Sequence, residues 1–249
     1  MSTENKLPAS LGAAPYRFTL KDLDESMWSE HPLGRTAFGM KVSGFHRWGF
    51  VIYRTTYNDD AMWERYLQVL KLSAQDCLAS LGGDVLLEQY MDWLVISDPA
   101  TLDGASKADV KKHFQSWYAA RSEERDGPGA AKSGTKRLPR FQHCVYVDRK
   151  CMDTVAELPA SYMSSRGRRP GSNVVAVVID GTFDETTPSN DQGLYPDVEG
   201  CTGRYVGWRY DDIEMLVNTY EEAHDYSLSG IEYKRPPLIS PFGFNSMPA

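Results

Sequence analysis

The chain is poor in the features that most directly betray a function. It has four cysteines in 249 residues (Cys77, Cys144, Cys151 and Cys201) and no Cys-x-x-Cys pair. That excludes a disulfide-stapled miniprotein and leaves a zinc site without support. The longest apolar stretches, such as residues 174–179, are far too short to cross a bilayer. The start, Met-Ser-Thr-Glu-Asn-Lys, lacks the basic and then apolar run of a secretory leader. A reduced, cytoplasmic protein is therefore expected. Positive charge is also scarce: 27 Lys and Arg stand against 34 Asp and Glu, a net charge of -7. No global field draws the chain to nucleic acid or anionic lipid, although local basic patches remain possible. There is no Gly-x-x-x-x-Gly-Lys phosphate cradle, dinucleotide fingerprint, His-Glu-x-x-His or Gly-x-Ser-x-Gly elbow. The five histidines keep no suggestive spacing to any serine, threonine or cysteine.

What is present is an ordinary globular composition, 41% hydrophobic and 24% charged, long enough to bury a core without staples. Residues 1–15 are small and polar and are expected to be disordered. Residues 16–249 read as a single α+β domain. Residues 16–47, punctuated by Gly34, Gly39 and Gly44, suggest short elements only. Residues 48–57 are aromatic and β-branched and read as a strand. After Asn58-Asp59-Asp60, the apolar positions Trp63, Leu67, Leu70, Ala74, Cys77 or Leu78, and Leu81 mark an amphipathic helix ending at Gly82-Gly83. Residues 93–96, 141–148 and 173–180 read as further strands, 205–210 as an edge strand, 106–121 and 150–157 as helices, and 213–226 as a surface helix. Residues 122–140 and 161–171 read as flexible basic loops, and the proline-bearing tail from Lys234 as an extended strap. The expected architecture is a small mixed or antiparallel sheet covered by two main helices.

Three groups of side chains invite a chemical reading. Asp59, Asp60 and Glu64 stand at a strand-to-helix junction beside Arg54, with Asp60 and Glu64 one helical turn apart. Such acids can chelate a cation, take a proton or grip a guanidinium. They can equally serve the helix dipole, with Arg54 as an ion-pair partner. An aspartate pair also occurs in terpene cyclases, but those are longer, all-helical enzymes, whereas this chain has several strand patterns. The second group is basic: Lys136, Arg137 and Arg140 in one loop, and Arg166, Arg168 and Arg169 in the other. These could hold phosphates, or be solvated loop charge. The third is the set of hydroxyls and thiols near the first strand and its helix, Ser43, Thr55, Thr56 and Cys77, with no partner motif.

Several ordered runs carry a resemblance: WGFVIYRTTYNDDAMWERYL, FQHCVYVDRKCMDTV, NVVAVVIDG and YVGWRYDDIEMLVNTYEEAHDY, followed by EYKRPP. Across residues 45–237 the chain resembles a large fungal family of formerly hypothetical proteins that is connected to arginine-containing cyclodipeptide synthases. The resemblance implies an aminoacyl-tRNA-dependent transferase of secondary metabolism. Its partners would be arginyl-tRNA and a second aminoacyl-tRNA, its product a cyclo(Arg-Xaa) diketopiperazine, and no cofactor or metal would be needed. It implies an acidic motif of the Asp-Asp…Glu type. Asp59, Asp60 and Glu64 match that best, with Asp211-Asp212 and Glu214 a second candidate that has one residue between the pair and the glutamate. The acids would act as general base or select arginine, and Arg54 and the basic loops would meet substrate and tRNA. A non-catalytic interaction protein of the same fold, or a metal-dependent enzyme acting on a phosphorylated small molecule, stand as alternatives.

Overall fold

The computed structural model describes residues 19–23, 31–164, 172–187, 190–241 and 246–247. The expected disorder of residues 1–15 falls outside them, as do Arg166, Arg168 and Arg169. The chain folds as an α+β protein around a six-stranded mixed sheet. In chain order the main elements are α1 (Gly34–Ser43), β1 (Val51–Arg54), α2 (Asp60–Leu81), β2 (Val95–Ile96), α3 (Lys107–Ala119), β3 (His143–Val147), α4 (Arg149–Ala156), β4 (Val175–Asp180), β5 (Trp208–Asp212), α5 (Leu216–Glu222) and β6 (Ile239–Ser240). The sheet order is β2-β1-β3-β4-β5-β6. The pairs β2–β1, β1–β3 and β5–β6 are parallel, and β4 is antiparallel to both neighbours. Five strands therefore run one way and β4 alone runs back.

That single reversal sorts the connections. The β3-to-β4 connection leaves and returns at the edge where β1, β3 and β5 end. The β4-to-β5 connection leaves and returns at the opposite edge. One face of the sheet meets α3, through Tyr53 against His113 and Phe114. The other meets α2 and α5, through Arg54 against Trp63 and Phe50 against Tyr220. β4 is buried along its whole length, as its apolar run requires.

The longest helix begins and ends where its sequence says. Asp59 caps α2 by accepting a hydrogen bond from the Met62 N–H at 2.9 Å. Gly82 closes it with φ 71°, a conformation that other residues adopt at a cost. Ser106 and Asp109 form a reciprocal capping box on α3.

Four expectations are corrected. Residues 16–47 contain a ten-residue helix, α1, which the glycines within it had hidden. Gly39 is there because a Cβ would sit 2.7 Å from the His224 ring. The 205–210 strand lies at 208–212 and is interior rather than an edge, since β6 from the tail pairs beyond it. The 213–226 segment is a 3-10 turn and a short helix buried along one side, with Leu216, Val217, Thr219, Tyr220 and Glu221 inside. Residues 122–140 are short helical turns that bury Asp126, Ala130 and Thr135, not a featureless loop. Among the described residues no helix is long and apolar enough to cross a membrane.

Candidate functional site

The acids at the head of α2 are engaged in building the helix junction. The Asp59 carboxylate is occupied as the cap. Asp60 is solvent-exposed and 2.5 Å from the Arg54 guanidinium. Arg54 itself is buried, donates from Nε to Thr56 O at 2.8 Å, and lies 4.5 Å and 5.1 Å from the centroids of Tyr57 and Trp63. Its guanidinium is thus enclosed, and Asp60 meets it from the solvent side. Glu64 is exposed. None of these four lines either large cavity of the molecule.

The basic group divides. Lys136 and Arg137 are exposed at the end of a 3-10 turn, Ser133–Arg137. Arg140 is corrected from a phosphate-binding residue to a structural one. Its side chain is 3% exposed, donates from Nη1 to Gly49 O and Asp92 O, and pairs with the Asp92 carboxylate at 2.9 Å. Gly49 belongs to the same clamp, with φ 114° and no room for a Cβ beside Asp92 O. The hydroxyls near β1 are spent as well. Ser43 donates to Gly39 O, Thr55 to Val147 O and Thr56 to Asn58 Oδ1.

A different constellation forms where β5 ends. Adjacent residues on a strand point to opposite faces, so Asp211 and Asp212 part company. Asp211 turns under the sheet, where its carboxylate lies 2.8 Å from Arg209 Nε and accepts from Arg209 Nη2 at 3.0 Å and from Thr219 Oγ1 at 2.8 Å. Arg209 also donates to Ile231 O. Arg209 and Asp211 are completely buried and mutually neutralised. Asp212 faces the other way and caps the turn that follows, accepting from the Glu214 N–H at 2.9 Å. Desolvation pushes its carboxyl up to about 6, with Glu214 and Asp211 adding to the rise against the opposing hydrogen bond.

Glu214 is delivered by that turn to the wall of a cavity of about 810 Å³. One carboxylate oxygen accepts from the Ser172 N–H at 2.6 Å and from the Tyr162 hydroxyl at 3.4 Å. Across the cavity stand Ser73 and Cys77 of α2 and Asn218 of α5. The Cys77 thiol donates to Asn218 Oδ1 at 3.1 Å. Burial, with Glu214 adding to it, pushes that thiol up to about 11, so it stays protonated and is a poor nucleophile at neutral pH. The Ser73 hydroxyl is buried against the cavity with no hydrogen-bond partner. An unsatisfied buried hydroxyl is costly, and a polar group of a bound molecule would satisfy it.

The arrangement offers a ligand-sized space with one carboxylate, Glu214, in its wall, and two residues before it a second carboxyl, Asp212, that burial raises toward neutrality. Among the described residues no cluster of histidine, cysteine and acidic side chains is set to hold a metal. Reading the sequence alone missed Ser73, Tyr162 and Asn218. For Ser73 there was a signal, a hydroxyl on the apolar stripe of a helix; Tyr162 and Asn218 gave none. No family model, curated protein or solved structure matches the chain.

Proposed function

We propose that the chain is an aminoacyl-transfer enzyme of the arginine-containing cyclodipeptide synthase type, and that Asp212 and Glu214 rather than Asp59, Asp60 and Glu64 are its working acids. The family reading comes from the sequence resemblance. The observation that carries the choice of site is the cavity walled by Glu214 and the unpartnered Ser73 hydroxyl, with the Asp212 carboxyl, raised to about 6 by burial, two residues before Glu214. Making a diketopiperazine from two aminoacyl esters takes two acyl transfers. The α-amine of one ester attacks the carbonyl of the other, a proton leaves the amine, and the tRNA hydroxyl departs. The new dipeptidyl ester then closes by the same chemistry. Each attacking amine must be neutral, and its ordinary pKa of about 8 leaves it largely protonated at pH 7. A carboxylate with a pKa near 6 is ionised at that pH yet basic enough to take up the proton. Asp212 has that character. Glu214, held in place by Ser172 and Tyr162, is placed to fork with a guanidinium. The exposed Lys136 and Arg137 are available to tRNA phosphates.

The test is mass spectrometry of extracts from bacteria expressing the chain beside Asp212→Asn, Glu214→Gln and Asp60→Asn. A new arginine-containing diketopiperazine is expected from the wild type and Asp60→Asn, and lost from the other two while they stay folded. Loss in Asp60→Asn alone would return the chemistry to the head of α2. No product from folded wild type would move the reading to a non-catalytic interaction protein.

A further inference from the structure

The second large cavity, about 710 Å³, opens at the sheet edge opposite to Asp212 and Glu214, under described residues of the β4-to-β5 connection such as Phe183, Glu185 and Glu199. Three cations, Lys107, Lys111 and Arg204, line it with three acids, Glu185, Asp191 and Glu199. Lys107 and Lys111 lie one turn apart on α3 and both line it. Their side chains are 12% and 13% exposed. The Lys107 ammonium is 4.2 Å from the Trp208 ring centroid, and that of Lys111 is 5.3 Å from Phe183. Tyr205 and Tyr233 complete the aromatic wall.

Each lysine is met by a glutamate from the overlying connection, Glu199 at 2.6 Å and Glu185 at 2.9 Å. The burial is lopsided, because these carboxylates are 53% and 63% exposed. Cations and anions both line the cavity, but the lysines are the enclosed partners and the glutamates the solvent-exposed ones. Exposed carboxylates hold their partners weakly, so another anion can take their place.

Glu199 is also in an uncomfortable position. Val198 and Cys201 exchange both backbone hydrogen bonds across the pair Glu199-Gly200, whose φ values are 53° and 87°. This is a tight hairpin turn that favours Asn or Gly at its first central position. A glutamate there sits in the left-handed region, which a residue with a Cβ adopts at a cost. The costly residue is the one that reaches Lys107.

We infer that this cavity is a binding site for a nucleoside monophosphate, with Glu199 and Glu185 standing in for its phosphate when it is absent. Two ammonium groups a turn apart match a phosphate dianion, the aromatic wall matches a flat base, and the volume is ample for both. The site is separate from the proposed acyl-transfer chemistry and does not depend on it. Calorimetric titration of the folded chain with AMP, GMP, UMP, adenosine and inorganic phosphate tests it. At least one monophosphate is expected to bind saturably, and at least tenfold tighter than adenosine or phosphate. Lys107→Gln and Lys111→Gln should each weaken it at least tenfold. Glu199→Asn, which suits the turn and removes the competing carboxylate, should tighten it severalfold. Absence of binding by all three monophosphates would overturn the inference. So would equal affinity in the wild type and both lysine variants, or phosphate binding as tightly as the nucleotide.

Discussion

At the scale of single residues, Asp211 and Asp212 are the same letter with opposite duties. Asp211 neutralises Arg209 in the interior. Removing one member of a buried ion pair strands the other, so Asp211→Ala is expected to cost about 3–5 kcal/mol in urea unfolding. Asp212 behaves in the reverse sense. Its pKa is about 6 in the fold against 3.8 for the free side chain. Below pH 3.8 both states are protonated and nothing is lost; as pH rises toward 6 only the unfolded chain sheds its proton freely, and the fold weakens. The cost above pH 6 is at most about 3 kcal/mol, less for its partial exposure. Asp212→Asn keeps an acceptor for the Glu214 N–H. It should raise the melting temperature at pH 7, lose that advantage near pH 4, and abolish product. A variant both less stable at pH 7 and inactive would assign Asp212 to structure alone. The sequence already held the Asp-x-Glu spacing. What it withheld was which carboxylate is neutralised, because that depends on Arg209 and Thr219 arriving beneath the same face.

At the scale of elements, α2 shows how a helix start can look like a catalytic motif. Asp59→Ala should cost about 1 kcal/mol through the lost cap, and Asp59→Ser should recover most of it. If product forms in both, the residue is a cap and nothing more. The limits of α2, α3 and α4 were legible within a residue or two, since caps and apolar spacing are local signals. The interior place of β5 was not. Trp-Arg-Tyr-Asp-Asp reads as half polar until Arg209 and Asp211 cancel one another, and its outer neighbour is a two-residue strand from the tail. The burial of α5 was hidden in the same way. Glu221 reads as a surface acid, yet its carboxylate accepts from the Arg35 and Thr36 N–H groups at the start of α1, 2.8 Å from each.

At the scale of the whole molecule, burial holds two histidines neutral. His143, beside Asp180 at 3.6 Å, and His224, against Tyr220, are each pushed down to about 4 from 6.5. Between pH 6.5 and 4 the unfolded chain takes up protons that the fold refuses, so each histidine subtracts stability on acidification. Asp212, which takes up its proton in the fold below about pH 6, offsets part of this over most of that window. Replacing His143 with Gln should flatten the acid limb of the melting profile; an unchanged slope would show that the loss arises elsewhere.

The one strand that runs backwards gives the molecule a front and a rear. The β3-to-β4 connection leaves and returns at the edge near Glu214, while the β4-to-β5 connection leaves and returns at the far one. The hairpin tip of the rear connection can therefore be lengthened or fused to a carrier, with loss of the Glu199 contact to Lys107. Grafts at Glu199-Gly200 should leave the proposed acyl transfer running while altering the proposed nucleotide site, so a tether there tells the two sites apart.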